Sequence, residues 1–208
     1  MTLILAVDTA SPRFAVAAVS HGRLLSGRVH DEPQAHSRAL LKAIAETIAE
    51  VGRRPDRLAA VVGPGSYAGL RVGLATVQGL ALGTGIPVSG VGTLPAVALA
   101  SGLRRVAAIH AIGRGDFAVQ EFNDGRALGP IELAAPEDLP ATIAGEGAGE
   151  LRGTEVSPGE RCAAAARFAA ALPEPHGSEL DAIYVREPSI SRPRRAGAAA
   201  HTEYGSRD

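Results

Sequence analysis

Over residues 3–91, short apolar runs and amphipathic stretches follow one another in an order that few folds accommodate. Leu3–Val7 is a continuous apolar run closed by Asp8, the pattern of a strand buried on both faces. Phe14–Val19 and Leu24–Val29 are two further runs, joined by Ser20-His21-Gly22-Arg23, where Gly22 suits the positive φ of a hairpin turn. From Ala35 to Val51 the period changes. Leu40, Leu41, Ile44, Ile48 and Val51 recur at three- and four-residue spacing, Arg38, Lys42 and Glu46 take another face, and Gly52 ends the helix. Leu58–Val62 reads as a short buried strand, Ala68–Gly83 as a second helix and Pro87–Val91 as a strand. Strand–helix–strand demands a right-handed parallel crossover, so the class is α/β.

The pattern resets at Ser101-Gly102. Arg105–His110, Phe117–Phe122 and Ala127–Leu133 read as strands, with Asn123-Asp124-Gly125 as a turn. Ala141–Ala144 is a further strand candidate before the glycine-rich 145–149, Gly159–Leu172 reads as a helix and Ala182–Val185 as extended chain. The order of hairpins first and helices later thus occurs twice, the second time eroded. The division expected is a lobe over 1–102, a smaller lobe over 103–186 and a loosely held tail over 187–208 that carries Pro188, Pro193, Arg192, Arg194 and Arg195.

Composition narrows the function classes. With 46% hydrophobic and 21% charged residues in 208, the chain is globular rather than disordered. A net charge of −1 lacks the basic excess of a stand-alone nucleic-acid binder. Cys162 is the only cysteine, which excludes an intramolecular disulfide framework and a cysteine zinc cluster. The opening apolar run is too short and too quickly acidic for a signal peptide, and no stretch reaches the roughly 18 apolar residues of a membrane helix, so a cytoplasmic protein is expected. Lys42 is the only lysine and alanine is abundant, which reads as the imprint of a GC-rich genome.

Three motifs bear on chemistry. Asp8-Thr9-Ala10-Ser11 ends the first strand, where Asp8, Thr9 and Ser11 can face a phosphate or simply close a β-turn. Gly63-Pro64-Gly65-Ser66 bends the chain sharply after a strand, and Ser66 can cap the following helix, whose free amides attract anions. No Gly-Lys-Ser or Gly-Lys-Thr follows, so this is not a Walker loop, and tight packing explains the glycines equally well. On that helix Gly69, Gly73, Thr76, Leu80 and Gly83 share a stripe. Each glycine costs a helix about 0.8–1.0 kcal/mol relative to alanine, which calls for close approach of another backbone, from this chain or from a partner.

The block from Gly63 to Gly73, continuing through Gly79-Leu80-Ala81 and Gly85-Ile86-Pro87, resembles the signature of the bacterial TsaB (YeaZ) family. So do Ile4–Thr9, His36-Ser37 and Tyr184-Val185-Arg186. The likeness is dense over residues 3–100 and sparse beyond. It implies an actin-like ATPase superfold (ASKHA) of two ribonuclease-H-like lobes, the second reduced. It further implies a non-catalytic partner of TsaD in making threonylcarbamoyladenosine on tRNAs that read codons beginning with A. TsaD would form a heterodimer with it, TsaE would attach to the pair, and tRNA would be met through the complex. No cofactor is expected of this chain itself, with ATP or ADP held at the interface of the complex. A homodimer of the isolated chain stays open. TsaD carries a metal-binding His-x-x-x-His pair on its first helix, where this chain has His36 and Leu40, so no metal is expected. The candidate partner surface is His36, Leu40, Leu41 and Ile44 on the first helix with Gly69, Arg71, Gly73, Thr76, Leu80 and Gly83 on the second. The family's Asp-Ala-Arg strand end is here His110-Ala111-Ile112, with Arg114 two positions on.

Two other classes compete. A small-molecule kinase or ATPase of the same superfold would use Asp8, Thr9 and the Gly63–Gly65 turn, with 145–149 as its only glycine-rich adenosine candidate. Direct tRNA binding is poorly served by seven aromatic residues. If the glycine stripe faces a partner, Gly73→Leu weakens partner binding while circular dichroism stays native.

Overall fold

A computed structural model describes residues 2–31, 36–173 and 180–185, with backbone alone at 36 and 37. Strands β1 (Leu3–Asp8), β2 (Phe14–Ser20) and β3 (Arg23–His30) form an antiparallel run, followed by α1 (His36–Val51), β4 (Arg57–Gly63), α2 (Tyr67–Thr84) and β5 (Val88–Gly92). The sheet order is β3-β2-β1-β4-β5, with β4 parallel to both β1 and β5. Because side chains alternate along β1, Leu3, Leu5 and Val7 join Leu40 and Ile44 of α1 and Leu74 and Val77 of α2 on one face. Ile4 and Ala6 point to the other.

After β5 comes α3 (Thr93–Ser101), then β6 (Arg105–Ala111), β7 (Phe117–Asn123), β8 (Arg126–Ala127), β9 (Glu132–Ala134), β10 (Ile143–Gly145), β11 (Thr154–Glu155) and α4 (Pro158–Ala171). The second sheet runs β11-β10-β6-β7-β8, with β9 also paired to β7. Its directions repeat those of the first: β6 is antiparallel to β7 and parallel to β10, and β10 is parallel to β11. Two sheets of the same order, each a three-strand antiparallel run followed by two parallel strands, form the actin-like ATPase superfold. In the second lobe, 3-10 turns at Pro136–Asp138 and Ala148–Leu151 stand where the first lobe has α1 and α2. Ala107, Ile109, Val119 and Ile143 are covered there by Ala148, Leu139 and neighbouring side chains alone.

The lobes exchange their last helices. α3, made by the first half, packs Leu94, Val97 and Ala98 against Val106, Ala108 and Phe122 of the second sheet. α4, made by the second half, lays Cys162, Ala163, Ala165, Ala166 and Ala169 on Ala6, Ala15, Ala17 and Ala59 of the first. Alanine therefore has a packing reason here, since small side chains on both surfaces let helix and sheet approach closely. Ser157 and Glu160 form a capping box at the start of α4. At its other end Arg57 donates to the carbonyls of Ala169 and Leu172 at 2.7 and 3.1 Å.

Several expectations change. α3 lacks a legible helical period because it is apolar almost all round, buried between the sheets. The expected strand Ala127–Leu133 is broken into β8 and β9 around Gly129-Pro130, since proline has no ladder donor. β11 is two residues long, too short to show alternation. Residues 182–185 are not a strand; one hydrogen bond, Ile183 N–H to Val62 O at 2.7 Å, ties them to β4. The tail 187–208 lies outside the described residues.

The partner surface is corrected by burial. Leu40 and Ile44 are in the core at 1% and 3% exposure and present nothing to a partner. Gly69 and Gly73 are buried against this chain's own first loop: a Cβ at Gly69 would overlap Thr9 O, and one at Gly73 would overlap Thr9 Oγ1. The close backbone that the stripe calls for is thus internal, and Gly73→Leu is expected to disturb the fold itself. Thr76 and Leu80 are half-buried, Leu80 against the core that includes Leu40 and Ile44 of α1, whereas Leu41, Arg71 and Gly83 are exposed. His36 begins α1, and its side chain lies outside the described residues. At Gly79 and Gly83 an added Cβ meets nothing within 4 Å. Gly79→Ala should therefore raise stability by about 0.8–1 kcal/mol. Gly69→Ala should lower it by at least about 2 kcal/mol, because the atom it meets is backbone. Urea unfolding of the two variants checks both signs.

Candidate functional site

The two sheets bring the carboxyl ends of β1, β4, β6 and β10 to one place, and a cleft of about 640 Å³ opens there. Open α/β sheets bind ligands at this position, where neighbouring connections leave in opposite directions. Ala10, Ser11 and Pro12 follow β1, Gly65, Ser66 and Tyr67 follow β4, His110 to Arg114 follow β6, Glu146 and Gly147 follow β10, and Tyr184 and Val185 close one side. Tyr67 and Tyr184 meet at 5.1 Å between ring centroids, and Arg71 donates to Tyr67 Oη at 2.8 Å.

At the floor of the cleft lies a wholly buried guanidinium. Arg161, from the first turn of α4, donates through Nε to Asp8 Oδ2 at 2.6 Å. Its Nη1 reaches Glu146 Oε2 at 3.2 Å and His110 Nδ1 at 3.5 Å, and Nη2 reaches Ser11 Oγ at 3.3 Å. Arg13 adds a second cation, donating to Glu146 Oε1 at 2.9 Å. Asp8 Oδ1 accepts from Ala10 N–H at 2.9 Å, so both carboxylate oxygens are engaged within the chain.

His110 is the counterpart of Asp8 in the second lobe. Each sits one register position in from the start of the next strand, Asp8 opposite Ala15 of β2 and His110 opposite Ala118 of β7. A carbonyl only accepts, so the 3.1 Å contact from His110 Nε2 to Ala10 O places the proton on Nε2 and leaves Nδ1 as the acceptor for Arg161. Ala10 O also accepts from Ser66 N–H at 2.6 Å. One carbonyl thus ties the ends of β1, β4 and β6 together. Burial, with the Arg161 charge beside it, lowers the His110 pKa to about 4. Burial raises the Glu146 carboxyl, but the Arg161 charge and hydrogen bonds from Arg13 and Arg161 outweigh it and hold the pKa below the usual value. Burial also pushes the Cys162 thiol well above its ordinary range, making it inert.

The residues singled out for phosphate meet at this floor. Asp8, Thr9 and Ser11 are buried, and Ser11 Oγ donates to Arg13 O at 2.9 Å. A Cβ at Gly65 would lie 2.5 Å from Ala10 O, and Gly63 has a φ of 110°, so both glycines serve close packing of the β4 turn. Ser66 caps α2 through Gly69 N–H at 3.2 Å. Sequence reasoning did not find Arg161, Glu146 or Arg13. A signal existed for the first: Arg161 shares the i, i+4, i+8 stripe of Ala165 and Ala169, an isolated charge on an apolar face. Among the described residues, no three His, Cys, Asp or Glu stand arranged to hold a metal ion, and no helix is long and apolar enough to cross a membrane.

The neutral imidazole sets an acid limit on stability. The unfolded chain takes a proton on His110 below pH 6.5, while the folded chain resists until about 4. Stability is therefore full above pH 6.5 and drains as pH falls toward 4, by about 3 kcal/mol across that window. Denaturant unfolding at stepped pH checks this. His110→Gln, which keeps a donor toward Ala10 O, should flatten the slope between pH 6.5 and 4.

Comparison with known proteins agrees with the fold. The family model described as TsaD, tRNA N6-adenosine threonylcarbamoyltransferase, matches residues 30–121. The tRNA threonylcarbamoyladenosine biosynthesis protein TsaB of Escherichia coli (strain K12) is 35% identical over 100 residues, 46% of this chain and 42% of that protein. The tRNA N6-adenosine threonylcarbamoyltransferase of Nitratidesulfovibrio vulgaris (strain DP4) is 33% identical over 131 residues, 53% of this chain and 36% of that protein. The chain thus spans less than half the length of these relatives. Among solved structures, an uncharacterized protein with similarity to peptidase YEAZ from Pseudomonas aeruginosa superposes with a TM-score of 0.77 at 25% identity, covering 89% of this chain and all of that one (100%). YeaZ from Pseudomonas aeruginosa gives 0.69 at 26% identity, covering 82% and 93%. In sequence over about half of the chain, and in fold across nearly its whole length, the chain is similar to TsaB and YeaZ proteins.

Proposed function

We propose that this chain is a non-catalytic partner of TsaD in the threonylcarbamoylation of tRNA adenosine. The observation that carries the non-catalytic part is the Arg161–Asp8 pair. A phosphotransferase of this superfold needs a carboxylate free to orient metal or water at the end of β1, and here that carboxylate is neutralised by a buried guanidinium at 2.6 Å. The cleft's imidazole is committed as well, donating to Ala10 O and accepting from Arg161, which disfavours a serine-peptidase reading. The likeness to TsaB supports the pathway.

The surface that suits TsaD is the outer face of α1 and α2. Leu41 and Leu82 are 56% and 74% exposed there, and Gly79 and Gly83 allow close approach of a facing helix. In this reading TsaE and tRNA meet the complex rather than this chain alone, and ATP or ADP sits where the two proteins join. A small-molecule kinase is the competing reading.

Co-purification with TsaD from the same organism, followed by a tRNA modification assay, tests the proposal. The expected result is a stable pair that modifies tRNA only when both proteins are present. Leu41→Asp and Leu82→Asp should each weaken the pair about tenfold or more while circular dichroism stays native. Absence of pairing, together with ATP turnover by the purified chain, would move the assignment to a kinase.

A further inference from the structure

Tyr184 and Val185 take no part in the cleft floor, yet the segment that carries them crosses the mouth of the cleft. Residues 180–185 begin on the first lobe. Leu180 and Ala182 pack against the core that holds β1 and α2, Ile183 N–H donates to Val62 O at 2.7 Å, and Gln78 of α2 donates to Leu180 O at 3.4 Å. Tyr184 then meets Tyr67, the first residue of α2, with ring planes tilted by 44°, and Arg71 lies 5.3 Å over the Tyr67 ring. One residue further, Val185 packs, like Ile112, against the core of the second lobe. The segment thus joins the lobes across an opening that Tyr67, Ile112, Tyr184 and Val185 all line. A Cβ at Gly63 would lie 2.5 Å from Ile183 O, so the turn after β4 leaves room for this segment to lie down.

Two ties therefore span the cleft, and they differ in strength. At the floor, Arg161 and His110 join the lobes through Glu146 and Ala10 O while only 0% and 2% exposed, and parting them would strand a buried charge. At the mouth, among the described residues, one main-chain hydrogen bond holds the segment, and Ile183 and Tyr184 are 37% and 42% exposed. Segments with few buried contacts open without global unfolding. We propose that residues 180–185 form a strap that gates the interlobe cleft, lifting from its mouth while the polar floor stays closed. Lifting breaks the hydrogen bond from Ile183 to Val62, parts Tyr184 from Tyr67 and draws Val185 off the second lobe, which opens the way to Ile112 and the cleft behind it. The motion leaves no charge buried, because Asp181 and Tyr184, the ionisable groups of the strap, are already exposed. The gate belongs to this chain alone and stands whether or not the chain pairs with TsaD.

Cys162 is buried and inert, so in an Ile112→Cys variant the thiol at 112 reports on the cleft. Its reaction with a maleimide dye is timed alone and combined with Ile183→Pro, which removes the N–H that Val62 accepts, or Val185→Asp, which opposes return to an apolar core. Each combination is expected to label about tenfold faster, the worth of one hydrogen bond or one apolar contact. In the chain that keeps Ile112, the same two strap substitutions should leave Cys162 unlabelled, because the floor does not open. In the unsubstituted chain, which needs no variant to fold, the Ile183 amide should exchange with solvent roughly a hundredfold faster than that of Ala60 in β4. Equal labelling at 112 with and without the strap substitutions overturns the proposal. Labelling of Cys162 in step with 112 does so as well, and so does exchange of Ile183 only at the rate of Ala60.

Discussion

The pairing of Arg161 with Asp8 is the contact on which the rest of the molecule is organised. A guanidinium cannot be buried unless its donors are met, and here the acceptors are Asp8, Glu146, His110 and Ser11, drawn from both lobes. For Arg161 to reach Asp8, α4 must lie on the first sheet although the second half of the chain makes it. That in turn needs the alanine-on-alanine surface between α4 and β1, β2 and β4. The polar centre and the small-residue packing are one requirement: a bulkier residue at Ala165 or Ala169 would lift the helix and draw the guanidinium away from its carboxylates.

The exchanged helices also explain why a reduced second lobe suffices. A five-strand sheet needs cover on both faces. The second sheet receives α3 from the first half on its inner face, which leaves short 3-10 turns to shield Ile109, Val119 and Ile143 on the outer one. The first sheet keeps α1 and α2 in full. It is the half that carries the dense family likeness, and it is where the partner surface is proposed.

How much of this the sequence disclosed depended on where periodicity was present. β1 to β5, α1 and α2 are long or cleanly patterned, and the residues that mark them, Asp8 at a strand end and Gly52 after a helix, lie where expected. α3 escaped because an all-round apolar helix of nine residues has no polar face to set its period. At the candidate site, the Asp8 and Gly63–Ser66 turns were legible as strand-end features. Their partners were not, because the contact between Arg161 and Asp8 spans 153 residues and no local pattern encodes it. His110 was visible as a departure from the family's strand-end aspartate, and its meaning emerges only beside Arg161. An aspartate at that place would set a third carboxylate against the same guanidinium, whereas a neutral imidazole accepts a hydrogen bond without adding charge.

The glycines of α2 divide the helix between two tasks. Gly69 and Gly73 let Thr9 and its carbonyl approach the helix, which brings the β1 loop down onto α2 and fixes the orientation of Asp8. A residue larger than glycine at either position would move the loop and, with it, the carboxylate that Arg161 must meet. At Gly79 and Gly83, about two to three turns further on, an added Cβ would meet nothing within 4 Å, and both glycines lie beside the exposed Leu82. The helix therefore positions the cleft floor through the glycines of its amino end and leaves small residues exposed toward its carboxyl end. A partner resting on the second part would press on the helix that positions the first, which couples the proposed docking face to the cleft through a single rigid element.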